Sequence, residues 1–454
     1  MPRVARHVAV VGGGIAGLAA AVYLARGGRT VTVFEKNRHL GGRAVTHLRH
    51  GFRFNLGPHA VYRFGPGSRV LRELGIPIRG GIPKRGGTVI VGGQQHRLPV
   101  TPLSILRSSL LPMKGKLEAV RLLCRLPGMN TRPFELMSVR EWADRFIRNE
   151  SLRDFFLSLC RVVTYSTDER QCASVALDQL KRAMLGVVYV HEGWQKIVDS
   201  LHSTAVAAGV NFVTSSRVIG VETNGRVCGL ELGGLEVMRS DTLEVALPPP
   251  EPEADGPAAR IATDTVLLAI DPTSAANLLS NEKVSRCWRN LEPVTLACLD
   301  VALSRLPNPR QTFAVSVDRP YYYSVHSAWA QLTPRGGALI HVAKYRAKPS
   351  KMTSRDYEGD TIRLDDEAKR DQAELEAFLE ELQPGWRDLV IHRRFLPSLA
   401  VTNAVTIPSA YRPQPQTSVR GLYLAGDWVG GDGVMADAAL TSARAAARAI
   451  LAEA

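Results

Sequence analysis

The sequence predicts an α/β fold whose parallel sheet is assembled from both ends of the chain, with a second, α+β domain inserted between its parts. Three observations carry this expectation. A strand, a glycine-rich turn, a helix and a second strand follow one another within the first 35 residues. A short apolar strand ending in Gly426-Asp427, then an alanine-rich helix from about Ala436 to Ala449, closes the chain. Between these ends, Val210–Val213 reads as a further strand.

At 454 residues the chain is long enough for two cores. Hydrophobic residues at 45% and charged residues at 22% are ordinary for a folded protein. No apolar run reaches the roughly 18–20 residues that span a bilayer. The stretch Gly17–Ala25 resembles a signal-peptide core, but a strand and a glycine turn precede it, so no export signal is read and a cytoplasmic protein is expected. Cys124, Cys160, Cys172, Cys228, Cys287 and Cys298 include no C-x-x-C pair, so neither a disulfide framework nor a metal site is expected. A formal net charge of +14 attracts polyanions, yet the arginines are spread along the chain without a nucleic-acid motif. Nucleic acid is therefore not expected as a partner. A generally basic surface, or peripheral contact with the inner face of an anionic membrane, accounts for the charge.

The first strand, His7–Val11, runs into Gly12-Gly-Gly14-Ile15-Ala16-Gly17, which fits G-x-G-x-x-G. Gly12 permits a tight turn, Gly14 lets backbone approach a pyrophosphate, and Gly17 lets the helix pack closely on the strand. The helix then presents free N–H groups to the phosphates. The second strand, Thr30–Phe34, ends at Glu35, an acceptor for ribose hydroxyls that disfavours a 2′-phosphate. After Lys36 comes Gly41-Gly42-Arg43-Ala-Val-Thr46, two glycines for close approach and a cation for the pyrophosphate.

This extended run, an acid followed by G-G-R-x-x-T, resembles the FAD-binding signature of flavin amine oxidases, protoporphyrinogen oxidases and carotenoid desaturases. The closing Gly421–Trp428 strand resembles the same superfamily, and so does Gly430-Gly-Asp-Gly433-Val434-Met435. The resemblance implies a glutathione-reductase-type, Rossmann-like FAD domain. It puts Asp427, after Gly426, near the ribityl–pyrophosphate part, and the last helix, entered at Gly433, Val434 and Met435, against the flavin ring. It also implies a backbone contact to adenosine near Val218, and a cofactor loop at Gly57-Pro58-His59. The FAD domain is expected over 1–75, 190–275 and 395–454, and the substrate domain over 76–189 and 276–394. Pro248–Pro257 reads as a surface loop. Val89–Gly93 begins like another fingerprint but lacks a third glycine and a helix.

The superfamily reading implies hydride removal from a substrate, with oxygen or a quinone reoxidising the flavin. Gly57-Pro58-His59, Tyr323-Ser-Val-His326 and the Ala-Gly-Asp-Trp ending resemble bacterial carotenoid and squalene-type desaturases, which implies a small hydrophobic substrate and C–C oxidation. Amine oxidation, protoporphyrinogen oxidation and a flavin-binding scaffold without turnover stay open. His59 and His326 are candidate general bases or polar handles, Tyr323 a candidate aromatic contact, and Lys344 a candidate neighbour of flavin N5. Each also has a structural reading. In Leu98–Met129, leucines alternate with Arg107, Lys114, Lys116, Arg121 and Arg125, a pattern suited either to a core-packed helix pair or to an anionic membrane surface.

Overall fold

The computed structural model describes residues 7–233, 259–279, 282–347, 365–408 and 412–453. The proline-rich Pro248–Pro257 run lies outside them. Five parallel strands form the first sheet in the order Asn211–Val213, Thr30–Phe34, His7–Val11, Val266–Leu268, Leu422–Leu424. Its strands come from the beginning, middle and end of the sequence, as the motifs require. Their apolar runs suit a sheet buried on both faces. Val8 and Val10 pack under the helices Ile15–Arg26, Gln195–Ala207 and Met435–Ala452. Ala9 and Val11 face the other way, onto the antiparallel layer Val218–Thr223, Val227–Leu232 and Ala259–Ala262.

The second sheet has seven strands, in the order Val390–Thr402, Val294–Leu303, Ala338–Tyr345, Tyr321–Val325, Phe313–Ser316, Thr88–Val91, Gln94–Arg97. Side chains alternate across it with the period of a strand. Tyr321, Tyr323, Val325, Ile340 and Val342 pack under the helix Asp366–Leu382. Leu296, Cys298, Tyr322, Ala343 and Tyr345 form the opposite face. A helical group with Met113–Arg125, Glu150–Thr164 and Ala173–Met184 builds a separate apolar core beside it.

Two sequence boundaries shift. The strand Val390–Thr402 runs through position 395 and pairs with Val294–Leu303, so its last residues belong to the second sheet. The Val89–Gly93 stretch is a hairpin, with Gly92 and Gly93 at φ +55° and +76° turning Thr88–Val91 into Gln94–Arg97. Two positive φ values in succession make the hairpin turn that only such a pair permits readily, which is why the glycines there led to no helix.

Candidate cofactor and substrate cavity

One cavity of about 1230 Å³ runs from the parallel sheet to the helical core. That exceeds the roughly 300–1,000 Å³ of an ordinary ligand pocket. Its first end is bare backbone. Gly12 has φ +106°, and a Cβ there would meet Ala269 O at 2.7 Å. Gly17 has no room at all, since a Cβ would sit 1.9 Å from Gly12 O. Gly14 is different: its nearest neighbour would be Gly41 O at 4.0 Å, so the space before it is open. Gly42 abuts Gly14 Cα, and Gly41 N donates to Gly13 O at 2.9 Å. The two glycine loops are thus tied together as one cradle that a Cβ would partly fill, the shape a pyrophosphate needs.

Charge and dipoles agree with that shape. The helix Ile15–Arg26 has no side-chain cap at Gly14, so its first N–H groups remain for a ligand. Glu35 is buried on the cavity wall, its two oxygens accepting from Gly13 N at 2.8 Å and Asn37 N at 3.0 Å. A carboxylate retains further acceptor sites beyond those two bonds, which suit ribose hydroxyls. Lys36, Ile15 and Ala16 also line this end.

Arg43 joins the cradle to the C-terminal strand. Its Nη1 lies 2.9 Å from Asp427 Oδ2 and 3.0 Å from Val401 O. Asp427 also accepts from Asn403 N at 3.1 Å and Asn403 Nδ2 at 2.8 Å. Burial pushes the Asp427 carboxyl upward, but the Arg43 charge and these hydrogen bonds outweigh it and hold the group below its ordinary value. Arg412 donates to the backbone of Asp427 and Val429. The cavity then passes Val434, Met435, Ala436 and Asp437 at the uncapped start of the last helix. Met435 holds φ +54°, a strained value for a side-chain-bearing residue, of the kind found at functional sites.

The sequence candidates divide. Gly12, Gly14, Ile15, Ala16, Glu35, Lys36, Gly41, Gly42, Arg43, Pro58, His59, Gly426, Asp427, Val434 and Met435 all line the cavity. Gly17, Gly57 and Gly433 act from behind it. A Cβ at Gly57 would strike Leu399 at 2.6 Å, and one at Gly433 would strike Asp437 at 2.7 Å. Val218 does not reach the cavity; its side chain is buried in the core beneath the antiparallel layer, and Ser216 N ties this segment to Glu35 O.

His59 and His326 are on the wall. Burial pushes His59 down to about 4, and His326 well below its ordinary value. Both are neutral at physiological pH and weak as bases there. His59 Nδ1 lies 3.2 Å from Gly57 O, and its ring meets Trp194 edge-on at 5.1 Å. Tyr323 is turned away: its hydroxyl donates to Gln311 O at 2.9 Å and accepts from Gln383 at 2.8 Å, under the helix Asp366–Leu382. Tyr322, one residue earlier, faces the cavity. Lys344 is on the helix side too, its Nζ 2.8 Å from Asp371 and 2.5 Å from Glu374, so it does not stand near the cofactor. Strand alternation decides both corrections.

Sequence reasoning missed Tyr62, Tyr165, Tyr189, Trp194, Asn403, Arg412 and Asp437. Asp437 alone had a local signal, an acid in the first turn of the last helix; the rest come from distant segments. Among the described residues, Cys298, Asp300 and His341 could group about a metal. They already form an ion-pair cluster, with Arg394 at 2.5 Å from Asp300 and His341 at 2.6 Å. The guanidinium supplies the charge a metal would bring.

Comparison with known families agrees with this geometry. NAD(P)-binding Rossmann-like domains match residues 10–74, and flavin containing amine oxidoreductases match residues 349–451. Both modules are present, and with the cradle described above they make FAD the cofactor. A 53-residue stretch is 43% identical to 4,4'-diaponeurosporene oxygenase of Staphylococcus aureus, covering 12% of this chain and only 11% of that protein. An oxidoreductase from Methanosarcina mazei has a TM-score of 0.71 at 18% identity, over 96% of this chain and 99% of that one. A putative protoporphyrinogen oxidase from Exiguobacterium sp. 255-15 has a TM-score of 0.69 at 16% identity, over 99% and 100%. Cyclohexylamine oxidase from Brevibacterium oxydans IH-35A has a TM-score of 0.66 at 14% identity, over 99% of each chain. At such identities the likeness to solved structures is one of fold.

Proposed function

We propose that the chain is an FAD-dependent oxidoreductase that removes two hydrogens from neighbouring carbons of a long apolar substrate, forming a C=C bond. Bound FAD would supply the two-electron acceptor, taking one hydrogen as a hydride and the other as a proton, and oxygen or a quinone would then take up both electrons and both protons. The residues of the glycine cradle, Glu35, Arg43 and the start of the last helix would hold it.

The observation that carries the substrate class is the cavity's far lobe. Beyond the cofactor end it is walled by Leu122, Leu123, Leu126, Phe155, Phe156 and Leu159. Such a wall binds hydrocarbon by excluding water, and the six residues named hold no carboxylate to pair with an ammonium group. The histidines, held neutral by burial, serve as polar wall rather than as strong bases.

Entry from a membrane surface fits the same region. The helices Pro102–Arg107 and Met113–Arg125 and the loop joining them turn Ile105, Leu111 and Ala119 to the cavity and expose Leu103, Leu106, Met113 and Leu117 outward. Leu111, buried, lies on the inner side and is no part of the outward face. Arg107, Lys114, Lys116, Arg121 and Arg125 flank that face. Among the described residues no helix is long and apolar enough to cross a membrane; the contact proposed through this face is a peripheral one. Changing Leu103, Leu106 and Met113 to serine should reduce binding to anionic vesicles in high salt, where electrostatic attraction is screened within about 3 Å at 1 M. Unaltered vesicle binding by this variant would remove the membrane route.

Anaerobic mixing tests the reaction itself. Polyene precursors should bleach the oxidised flavin band, while polyamines, amino acids and porphyrinogens should not. Bleaching by an amine alone moves the activity to C–N oxidation, and a flavin that no reductant of these classes bleaches makes the chain a scaffold.

A further inference from the structure

We infer that the cavity-facing side of the seven-stranded sheet is a subsite for a neutral oxygen function, a hydroxyl or carbonyl, carried by the substrate. The inference rests on the long-apolar-substrate reading and narrows it.

The sheet face is apolar at Leu296, Ala343, Leu396 and Leu399. A polar row interrupts it. Asp300 stands opposite His341 on the neighbouring strand, and His341 stands opposite Ser324 on the next. His326 follows directly after that strand, 4.6 Å from the His341 ring and stacked at 3.8 Å on Tyr189.

This patch collects polar atoms that lack partners. His326, 1% exposed, lines the cavity. Neither of its ring nitrogens has a hydrogen-bond partner. Beside it the same holds for Ser324 Oγ and His341 Nε2, on paired strands. A buried polar atom without a partner costs stability, and folded proteins keep few of them. Four neighbouring atoms (Ser324 Oγ, both His326 nitrogens, His341 Nε2) mark a site that gains hydrogen bonds when something enters.

Tyrosines close the patch. Tyr62, Tyr165, Tyr189 and Tyr322 line the cavity beside it. Tyr165 terminates the helix Glu150–Thr164 at φ +59°, which lays its ring 6.1 Å from both Tyr322 and Tyr345.

The charge balance selects the ligand class. The Asp300 carboxylate is matched by Arg394 at 2.5 Å and hydrogen-bonded by His341 at 2.6 Å. Burial raises it, but the Arg394 charge and the His341 contacts win and hold it down at about 2. Burial likewise keeps His326 uncharged, and pushes Tyr322 up to about 12, so its phenol stays protonated. A patch of neutral donors and acceptors with no spare charge matches an alcohol or ketone better than a carboxylate or an ammonium.

The test uses the FAD-loaded protein and two ligands with one carbon skeleton, a long polyisoprenoid hydrocarbon and its alcohol. Shift of the visible flavin band reports affinity. The alcohol should bind about tenfold tighter, the worth of one well-made hydrogen bond in a dry site. Tyr322→Phe and Ser324→Ala, each removing one hydroxyl from the patch, should each erode that preference and leave hydrocarbon binding unchanged. Equal affinity for the two ligands in the unaltered protein overturns the subsite, and so does a preference that survives the double variant. Tighter binding of the matching amine overturns it as well. If neither long ligand binds, the long-substrate reading fails, and a short branched alcohol against its alkane decides the subsite by the same criterion.

Discussion

The two ends of the cavity are made of different material. The cofactor end is backbone: Gly12, Gly14, Gly41 and Gly42 with two uncapped helix starts. The substrate end is side chains: tyrosines, histidines and leucines set by the phase of a sheet and the faces of helices. Backbone chemistry leaves a spacing of glycines that can be read directly. Side-chain chemistry depends on register, and a slip of one residue turns every side chain to the other face.

The comparison breaks most easily at the glycines, where the largest effect is expected. Gly17→Ala puts a methyl 1.9 Å from Gly12 O, which the packed helix and strand cannot accommodate. Overpacking costs about 1–3 kcal/mol even where side chains can move, and here the obstacle is backbone. The variant should lose FAD and fall in thermal stability. Gly14→Ala, with nothing nearer than 4.0 Å, should fold as before and lose only FAD. Released flavin and unfolding midpoints measured together separate the two. If both variants lost stability alike, the open cradle at Gly14 would be wrong.

Legibility follows the same division. The strand–glycine–helix–strand unit, the G-G-R loop and the Gly-Asp strand end gave the parallel sheet and most of the cofactor wall. The apolar runs Thr295–Val301 and Ala338–Lys344 and the charged run Asp366–Leu382 are legible in the sequence too, as two strands and a helix. What could not be read was phase and distance. Tyr321-Tyr-Tyr323 holds three equal candidates until its pairing with Ala338–Tyr345 decides that the middle one faces the cavity. The strand Val390–Thr402 was missed because Arg393, Arg394 and Pro397 mask its alternation. Asn403 and Arg412 reach Asp427 only through the fold.

A sharper test lies at the junction of the two ends. Asp437 lines the cavity and accepts from Gly67 N at 2.9 Å, while its Oδ2 has no partner. Burial pushes its carboxyl up to about 6. A raised acid keeps its proton when folded and loses it when unfolded, so the folded state is favoured at low pH. That advantage declines as pH rises from about 4 through about 6. Asp437→Asn keeps the acceptor for Gly67 N and removes the titration. Its stability relative to the parent should therefore improve by about 1.4 kcal/mol between pH 5 and pH 8, the integral of that window. Urea unfolding of the FAD-loaded proteins at the two pH values measures it. A gap that does not change with pH would mean that the carboxyl finds a partner or a solvent path.

The smallest effect is expected at Lys344, and it bears most directly on the division between faces. Its ammonium bridges Asp371 and Glu374 on the helix side of the sheet, remote from the cofactor wall. Replacing it with glutamine leaves Asp371 paired with Arg346, and leaves Glu374 accepting from the Tyr321 hydroxyl at 2.8 Å. The loss should be within about 1 kcal/mol, the usual worth of a partly exposed ion pair. Flavin spectrum, ligand affinity and anaerobic reduction rate should stay those of the parent. Tyr322→Phe, one strand rung away on the opposite face, should alter ligand affinity with little loss of stability. Lys344→Gln and Tyr322→Phe thus differ in which measurement moves, although their side chains hang from adjacent paired strands. A fall of about tenfold or more in the reduction rate of Lys344→Gln, equivalent to 1.4 kcal/mol of barrier, would put that lysine in contact with the chemistry. The assignment of the two faces would then have to be reversed.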